Sequence, residues 1–185
     1  MAAAKQITRE KIIKSACAIV RSRGMAALNA RTLAAEMGCS TRPIYAESGG
    51  MGWVRAEVMK RINETYRGYI GREVASGKYP PFKAYGMGYI RFAREEKNYF
   101  QQLFMRDRRG EEPVSDGGDI SDVLAALRSG TGLDGDRAKL FHAECWVFVH
   151  GVASMLATSY LDVEEEFISD MLTDVFSGLK TRFGV

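Results

Sequence analysis

The stretch Asn29-Ala30-Arg31-Thr32-Leu33-Ala34-Ala35-Glu36-Met37-Gly38-Cys39-Ser40-Thr41-Arg42-Pro43-Ile44-Tyr45 restricts the fold more than any other part of the chain. Asn29 is a strong N-cap type, and Leu33, Ala34 and Met37 recur at helical spacing behind it. Gly38 supplies a residue that takes a positive φ at little cost where this first helix must stop. Ser40 is a second N-cap candidate, and Pro43 falls in the first turn of the next helix, where its missing N–H costs no helical bond. Two short helices joined by a three-residue turn are held at a steep angle, which is a helix-turn-helix pattern. In such units the second helix enters the DNA major groove with its N-terminal residues on base edges, while the first crosses the backbone.

Charge points the same way. The net charge is only +3, but residues 1–61 hold 11 Lys+Arg against 4 Asp+Glu, a net of +7, which leaves 15 against 19, or −4, for residues 62–185. Lys5, Arg9, Lys11 and Lys14 lie in or before the first helix, and Arg31 and Arg42 lie within the motif. A basic face at the helix-turn-helix end is the footprint of phosphate binding, and the acidic remainder would be repelled by DNA. A solvated charged face would show the same asymmetry, so its weight comes from coinciding with the motif. The candidates for contact with double-stranded DNA are Arg31, Thr32, Ser40, Thr41, Arg42, Pro43 and Tyr45. Arg42 is placed to read a base, since arginine pairs best with guanine in the major groove.

The rest of the chain reads as helices. Thr8 can cap one that runs to about Arg23, with Ile12, Ala16, Ile19 and Val20 on one face, and Gly24 ends it. Glu47-Ser48-Gly49-Gly50 breaks the pattern before a long helix that starts near Met51, carries Val54, Val58, Ile62, Tyr66 and Tyr69, and ends in Gly77 to Pro81. Pro81 to Glu95 puts Phe82, Tyr85, Tyr89 and Phe92 on one stripe, and a shorter helix follows through Tyr99 to Arg106. Arg106 to Gly118 is polar and rich in Gly and charge, hence a loop. Ile120 to Leu127 reads as a helix, and Asp134 to Asp136 can cap a longer one that runs to about Tyr160.

That longer helix is apolar on two faces, with Phe141, Cys145, Val149, Val152 and Leu156 on one and Trp146, Ala153 and Ala157 on the other. The last helix, from about Val163, is led by three glutamates that suit the positive end of its dipole, and it repeats Phe167, Met171, Val175 and Leu179. One short body offers few partners for so many faces. Packing of the helices at 136–160 and 163–182 against their copies would cover them and make a homodimer; a purely internal core is the alternative. Gly151 costs about 1 kcal/mol inside a helix, which close approach of another backbone would explain. A two-fold dimer asks for a palindromic operator with half-sites about one helical turn apart or a little more. No stretch reads as a strand, so the fold class is all-α.

The residues from Ile12 to Val54 also carry a resemblance. Ile12-Ile13, Ala16, Ile19-Val20, Gly24, Leu28, Leu33-Ala34, Gly38, Ser40, Ile44 and Tyr45 resemble the DNA-binding domain of the TetR family of transcriptional regulators. Trp146-Val147-Phe148-Val149-His150-Gly151 is similar to the W-x-x-x-H-G motif in the C-terminal domain of one branch of that family. The resemblance implies an N-terminal three-helix helix-turn-helix DNA-binding domain over residues 1–50. It implies a C-terminal helical effector-binding and dimerisation domain over 51–185, and a repressor released from its operator by a small molecule. The effector would bind among Tyr85, Tyr89, Phe92, Phe104, Trp146 and His150, although aromatic stripes at helical spacing also suit a plain core. The family usually carries an aromatic residue or His at position 47, Phe at 48 and Lys at 51, where this chain has Glu47, Ser48 and Met51. The His and Lys normally touch phosphates. Anchoring here therefore leans on the N–H groups that open the Met51 helix and on Lys or Arg of the first helix.

Other chemistries find little support. Cys17, Cys39 and Cys145 are odd in number and lack C-x-x-C spacing, so they read as reduced core residues. His142 and His150 are about 12 Å apart along their helix, too far to share a metal ion. There is no Ser-His-Asp order, phosphate loop or H-E-x-x-H, so no enzyme and no cofactor are expected. No run of about 18 apolar residues offers a membrane span, and the Met1 to Ala4 lead is no signal peptide, which makes a cytoplasmic location the expectation. A DNA-binding regulator without an effector remains the serious alternative.

Overall fold

The computed structural model describes residues 7–107, 109 and 120–185. Among these residues it is all-α, as the sequence predicts, with no strand. The helices are α1 (Arg9–Arg23), α2 (Ala30–Met37), α3 (Thr41–Ser48), α4 (Met51–Ser76), α5 (Pro81–Glu95), α6 (Lys97–Phe104), α7 (Ser121–Thr131), α8 (Gly135–Ala157) and α9 (Glu165–Phe183). Two compact units form. One takes the chain to Thr65 together with Asn98–Phe104, and the other takes Tyr66–Lys97 and Met105–Val185. The division between these units falls inside α4, whose residues Val54, Val58 and Ile62 are buried as fully as the apolar residues of α1.

In the first unit local signals set the helix ends. The N–H of Lys11 donates to the Thr8 hydroxyl at 3.3 Å, and Ile12, Ile13, Ala16, Ile19 and Val20 are buried along α1. A 3-10 turn at Met25–Ala27, which the sequence did not signal, then delivers Leu28 into the core. Asn29 Oδ1 accepts from the N–H groups of Arg31 and Thr32, both at 3.0 Å, and the Thr32 hydroxyl accepts from the Asn29 N–H at 3.1 Å. This reciprocal cap starts α2, and Gly38 at φ 65 ends it in the left-handed region. Eight residues are too few for a helix to persist alone, so α2 and α3 depend on packing against α1, where Leu33 and Ile44 are fully buried. Burying each such side chain contributes about 1.5–3 kcal/mol. The Asn98 amide donates to the Arg21 carbonyl and the Tyr99 hydroxyl to that of Cys17, tying α6 to α1.

In the second unit α5 packs on α7, α8 and α9, and α8 packs on α7 and α9. Phe141 and Leu127 centre one cluster, with Phe176 edge-on to Phe141 at 5.4 Å between ring centres. An ion network joins three helices. Arg91 of α5 meets Glu73 of α4 at 2.6 Å and both carboxylate oxygens of Glu165 at 2.9 Å, and Lys78 reaches Glu165 at 2.8 Å. Glu73 is only 3% exposed.

Several expectations need correction. α6 stops at Phe104, short of Arg106, while α7 runs on to Thr131; most of the expected 106–118 loop lies outside the described residues. In α9 the fully buried residues are Ile168 and Leu172; of the expected stripe, Phe167 is 56% exposed, Met171 and Val175 are half-buried, and Leu179 packs against the Phe141 cluster. Only Cys145 is a core thiol, since Cys17 and Cys39 are half-buried, and all three are free. Among the described residues α8 is long and apolar enough to cross a membrane by length and composition, contrary to the expectation of no such run. Its residues Phe141, Cys145, Val149, Val152, Ala153 and Leu156 are instead buried within its own unit.

Candidate DNA-binding interface and a polar aromatic cluster

On α3 the residues Ile44 and Ser48, one turn apart, are buried, and the opposite side carries Arg42, Tyr45 and Glu47 into solvent. Tyr45 is 49% exposed. Thr41 and Pro43 are half-buried at the start of the helix. Ser40 occupies the N-cap position with extended backbone, but its hydroxyl makes no capping bond, so it is exposed and available along with the N–H groups of Thr41 and Arg42. The N-terminal pole of α3 therefore presents donors, one arginine and a hydroxyl without a competing acidic side chain in its first turn.

The two candidates on α2 divide. Arg31, in the first turn of α2, is exposed, whereas the Thr32 hydroxyl also donates to the carbonyls of Ala27 and Asn29, at 2.7 and 3.0 Å. Thr32 thus shapes the start of α2. Ser48, where an apolar ring was the family expectation, is buried and takes the Gly50 N–H at 3.2 Å, which closes the turn into α4. Arg55 donates to the Leu28 carbonyl at 2.6 Å, and Arg9 donates from Nε to the Glu47 carbonyl at 2.8 Å while lying over the Trp53 ring at 5.2 Å. Sequence reasoning gave no role to Trp53 or Arg55. Partners separated by 27 or more positions leave no periodic signal.

The second unit holds a different constellation. The i, i+4 spacing of Trp146 and His150 on α8 stacks their rings at 5.1 Å and 22°. His150 Nδ1 lies 2.9 Å from the Tyr89 hydroxyl oxygen. Burial holds His150 below its ordinary value and pushes the Tyr89 hydroxyl up, so both are neutral near pH 7. A His150 protonated on Nε2 accepts the Tyr89 hydroxyl at Nδ1. Tyr66 meets Tyr89 edge-on at 5.9 Å and Phe92 at 5.4 Å, and burial raises its hydroxyl to about 12. Of the six effector candidates, Tyr89, Phe92, Trp146 and His150 thus come together. Tyr85 is raised first by burial and then by the nearby Asp122 carboxylate, which places it towards α7. Phe104 belongs to the first unit, with its ring 5.2 Å from Phe100. Tyr66 joins the cluster from α4, where its stripe position marked it only as core.

Residues 82–175 match the family model for the tetracyclin repressor-like C-terminal domain. No curated protein matches the sequence at a significant level. Among solved structures, a TetR family member from Streptomyces coelicolor A3 shares 16% identity and a TM-score of 0.54, over 90% of this chain and 96% of that one, a likeness of fold. The matched segment spans half of the chain, including the Trp146–His150 pair, and a helix-turn-helix precedes it: the chain belongs to the TetR family of transcriptional regulators.

Proposed function

We propose that this DNA-binding regulator is a homodimeric repressor that a small-molecule effector releases from a palindromic operator. The observation that carries the DNA part is the two-sided character of α3, with Ile44 and Ser48 inside and Arg42 and Tyr45 outside. Arg42 reads a base edge, Tyr45 and Thr41 position the backbone, and Ser40, Pro43 and Arg31 flank the contact. Thr32 acts through the cap of α2. The protein needs no catalysis and no cofactor for this, and it works in the cytoplasm, where its operator lies.

Dimer formation is supported by the outer faces of α8 and α9, where Leu140, Val147, Met155 and Phe167 are exposed. Leu140, Val147 and Met155 recur at spacings of seven and eight along α8, which keeps them on one side of the helix, and a contiguous exposed apolar patch of that kind suits an interaction surface. The effector reading rests on the neutral cluster of Tyr66, Tyr89, Trp146 and His150, whose chemistry suits an uncharged aromatic or apolar molecule with one polar group. Such a ligand weakens DNA binding only if it binds a non-DNA-binding arrangement more tightly than the DNA-binding one. The Tyr89–His150 hydrogen bond also suits a regulator without an effector, because it gives each group a partner inside the protein. Thermal-shift screening against apolar and aromatic metabolites, followed by operator affinity with each hit, tests the reading. A hit should lower that affinity; tight ligands that leave it unchanged would refute release by effector.

A further inference from the structure

We propose that Arg9 is a pre-positioned phosphate contact, held in place by the end of the recognition helix and by Trp53; this rests on the DNA-binding reading of α3. Arg9 opens α1 and is exposed. Its Nε donates to the carbonyl of Glu47 in the last turn of α3, at 2.8 Å, and its guanidinium carbon lies 5.2 Å from the centre of the Trp53 ring. The carbonyl sits at the negative pole of α3, and the ring face attracts a cation, so each contact favours the same charge and together they fix the guanidinium plane.

Those contacts use one of the five N–H groups of the side chain. The four on Nη1 and Nη2 stay in the planar fork that fits a phosphate with two parallel hydrogen bonds. Among the described residues no carboxylate pairs with Arg9, and its bond to Glu47 is to the backbone, not to the exposed side chain. Arg42 and Glu47 lie about 7.5 Å apart along α3, so the guanidinium stands beyond the base-reading end of the helix. A cation there offsets the repulsion that the Glu47 carboxylate and the helix's own C-terminal pole would exert on DNA. The same geometry would serve a purely structural tie between α1 and α3, and salt dependence separates the two.

The test measures binding of the intact protein to a random-sequence duplex several turns long and to its selected operator, across salt concentrations. Each phosphate contact contributes about 0.9 to the slope of log affinity against log salt. Arg9→Ala should therefore lower that slope by about 0.9 per protomer, and for the two protomers of a bound dimer together weaken binding about sixtyfold at 0.1 M relative to 1 M salt, with base preference unchanged. Arg9→Lys should keep the slope and lose part of the affinity, and Trp53→Leu should do the same, since the charge remains. Unchanged thermal midpoints establish that the variants fold. Weaker binding with an unaltered slope, or no change at all, would overturn the proposal and leave DNA binding standing. Failure of the unaltered protein to bind either duplex would overturn the DNA-binding reading, and the proposal with it.

Discussion

Replacing Gly151 by alanine is expected to loosen the dimer while stiffening the protomer. Gly151 lies on the outer face of α8 between Val147 and Met155, both exposed, and a Cβ built there meets no atom of another element within 4 Å. In an isolated protomer the change therefore removes only the helix penalty of glycine, about 1 kcal/mol, and raises the thermal midpoint of a chain this size by about 2–4 °C. If a second α8 backbone approaches at Gly151, each new methyl group overfills a tight contact at about 1–3 kcal/mol. Two-fold symmetry applies that cost twice, so dimerisation weakens by about 2–6 kcal/mol, a rise of about thirtyfold or more in dissociation constant. Sedimentation equilibrium over a range of concentrations gives the constant, and melts over the same range give the midpoint. A raised midpoint with an unchanged dissociation constant would refute the placement of Gly151 in an interface. A 20.5 kDa species at micromolar concentration in the unaltered protein would refute the dimer itself.

Arg42→Ala should cost about 1–3 kcal/mol in operator affinity and relax preference at one base pair, read by repeating the DNA selection with the variant; preference unchanged at every position would count against base reading. Arg91→Met leaves Glu73, 3% exposed, without its cation, and should destabilise the protein by about 3 kcal/mol in urea unfolding, the low end for a broken buried pair because Arg91 itself is partly exposed. A loss below about 1 kcal/mol would show that water reaches Glu73. Glu165 is held down at about 2, chiefly by the hydrogen bond from Lys78 and then by Arg91, against an ordinary 4.5. Because its folded value lies below its unfolded one, its stabilisation is complete above about pH 4.5 and is lost as pH falls towards 2. Glu165→Gln should flatten the stability curve in that window, and an unchanged curve would assign the acid sensitivity to other carboxylates.

Where structure depends on neighbours in the chain, the sequence told most of it. Asn29, Gly38 and the Leu33–Met37 spacing define α2 as it stands, since caps and a left-handed glycine act within a few residues. Thr8 and Gly24 likewise bound α1. Ser40 marked the right cap position but not its bond, because whether a hydroxyl turns to the helix or to solvent is decided by small energies. The buried face of α9 has a different origin. Phe167, Met171 and Val175 form as good an apolar stripe as Ile168 and Leu172, and only packing on α5 and α8 decides which of them is fully buried. Glu73 on a long charged helix looks solvated until Arg91 is seen beside it, and Arg9 meets Trp53 only through the tertiary fold. The Trp146–His150 pair was legible as an i, i+4 motif, but its tyrosine partners come from α4 and α5 and have no local signature.

Selection of bound duplexes from a random pool, using the intact protein, tests the central claim most directly. The account predicts a near-palindrome whose half-sites lie about one helical turn apart or a little more, with each half contacted through α3. A pool that yields no enriched sequence after repeated rounds would contradict the assignment of α3 as a recognition helix.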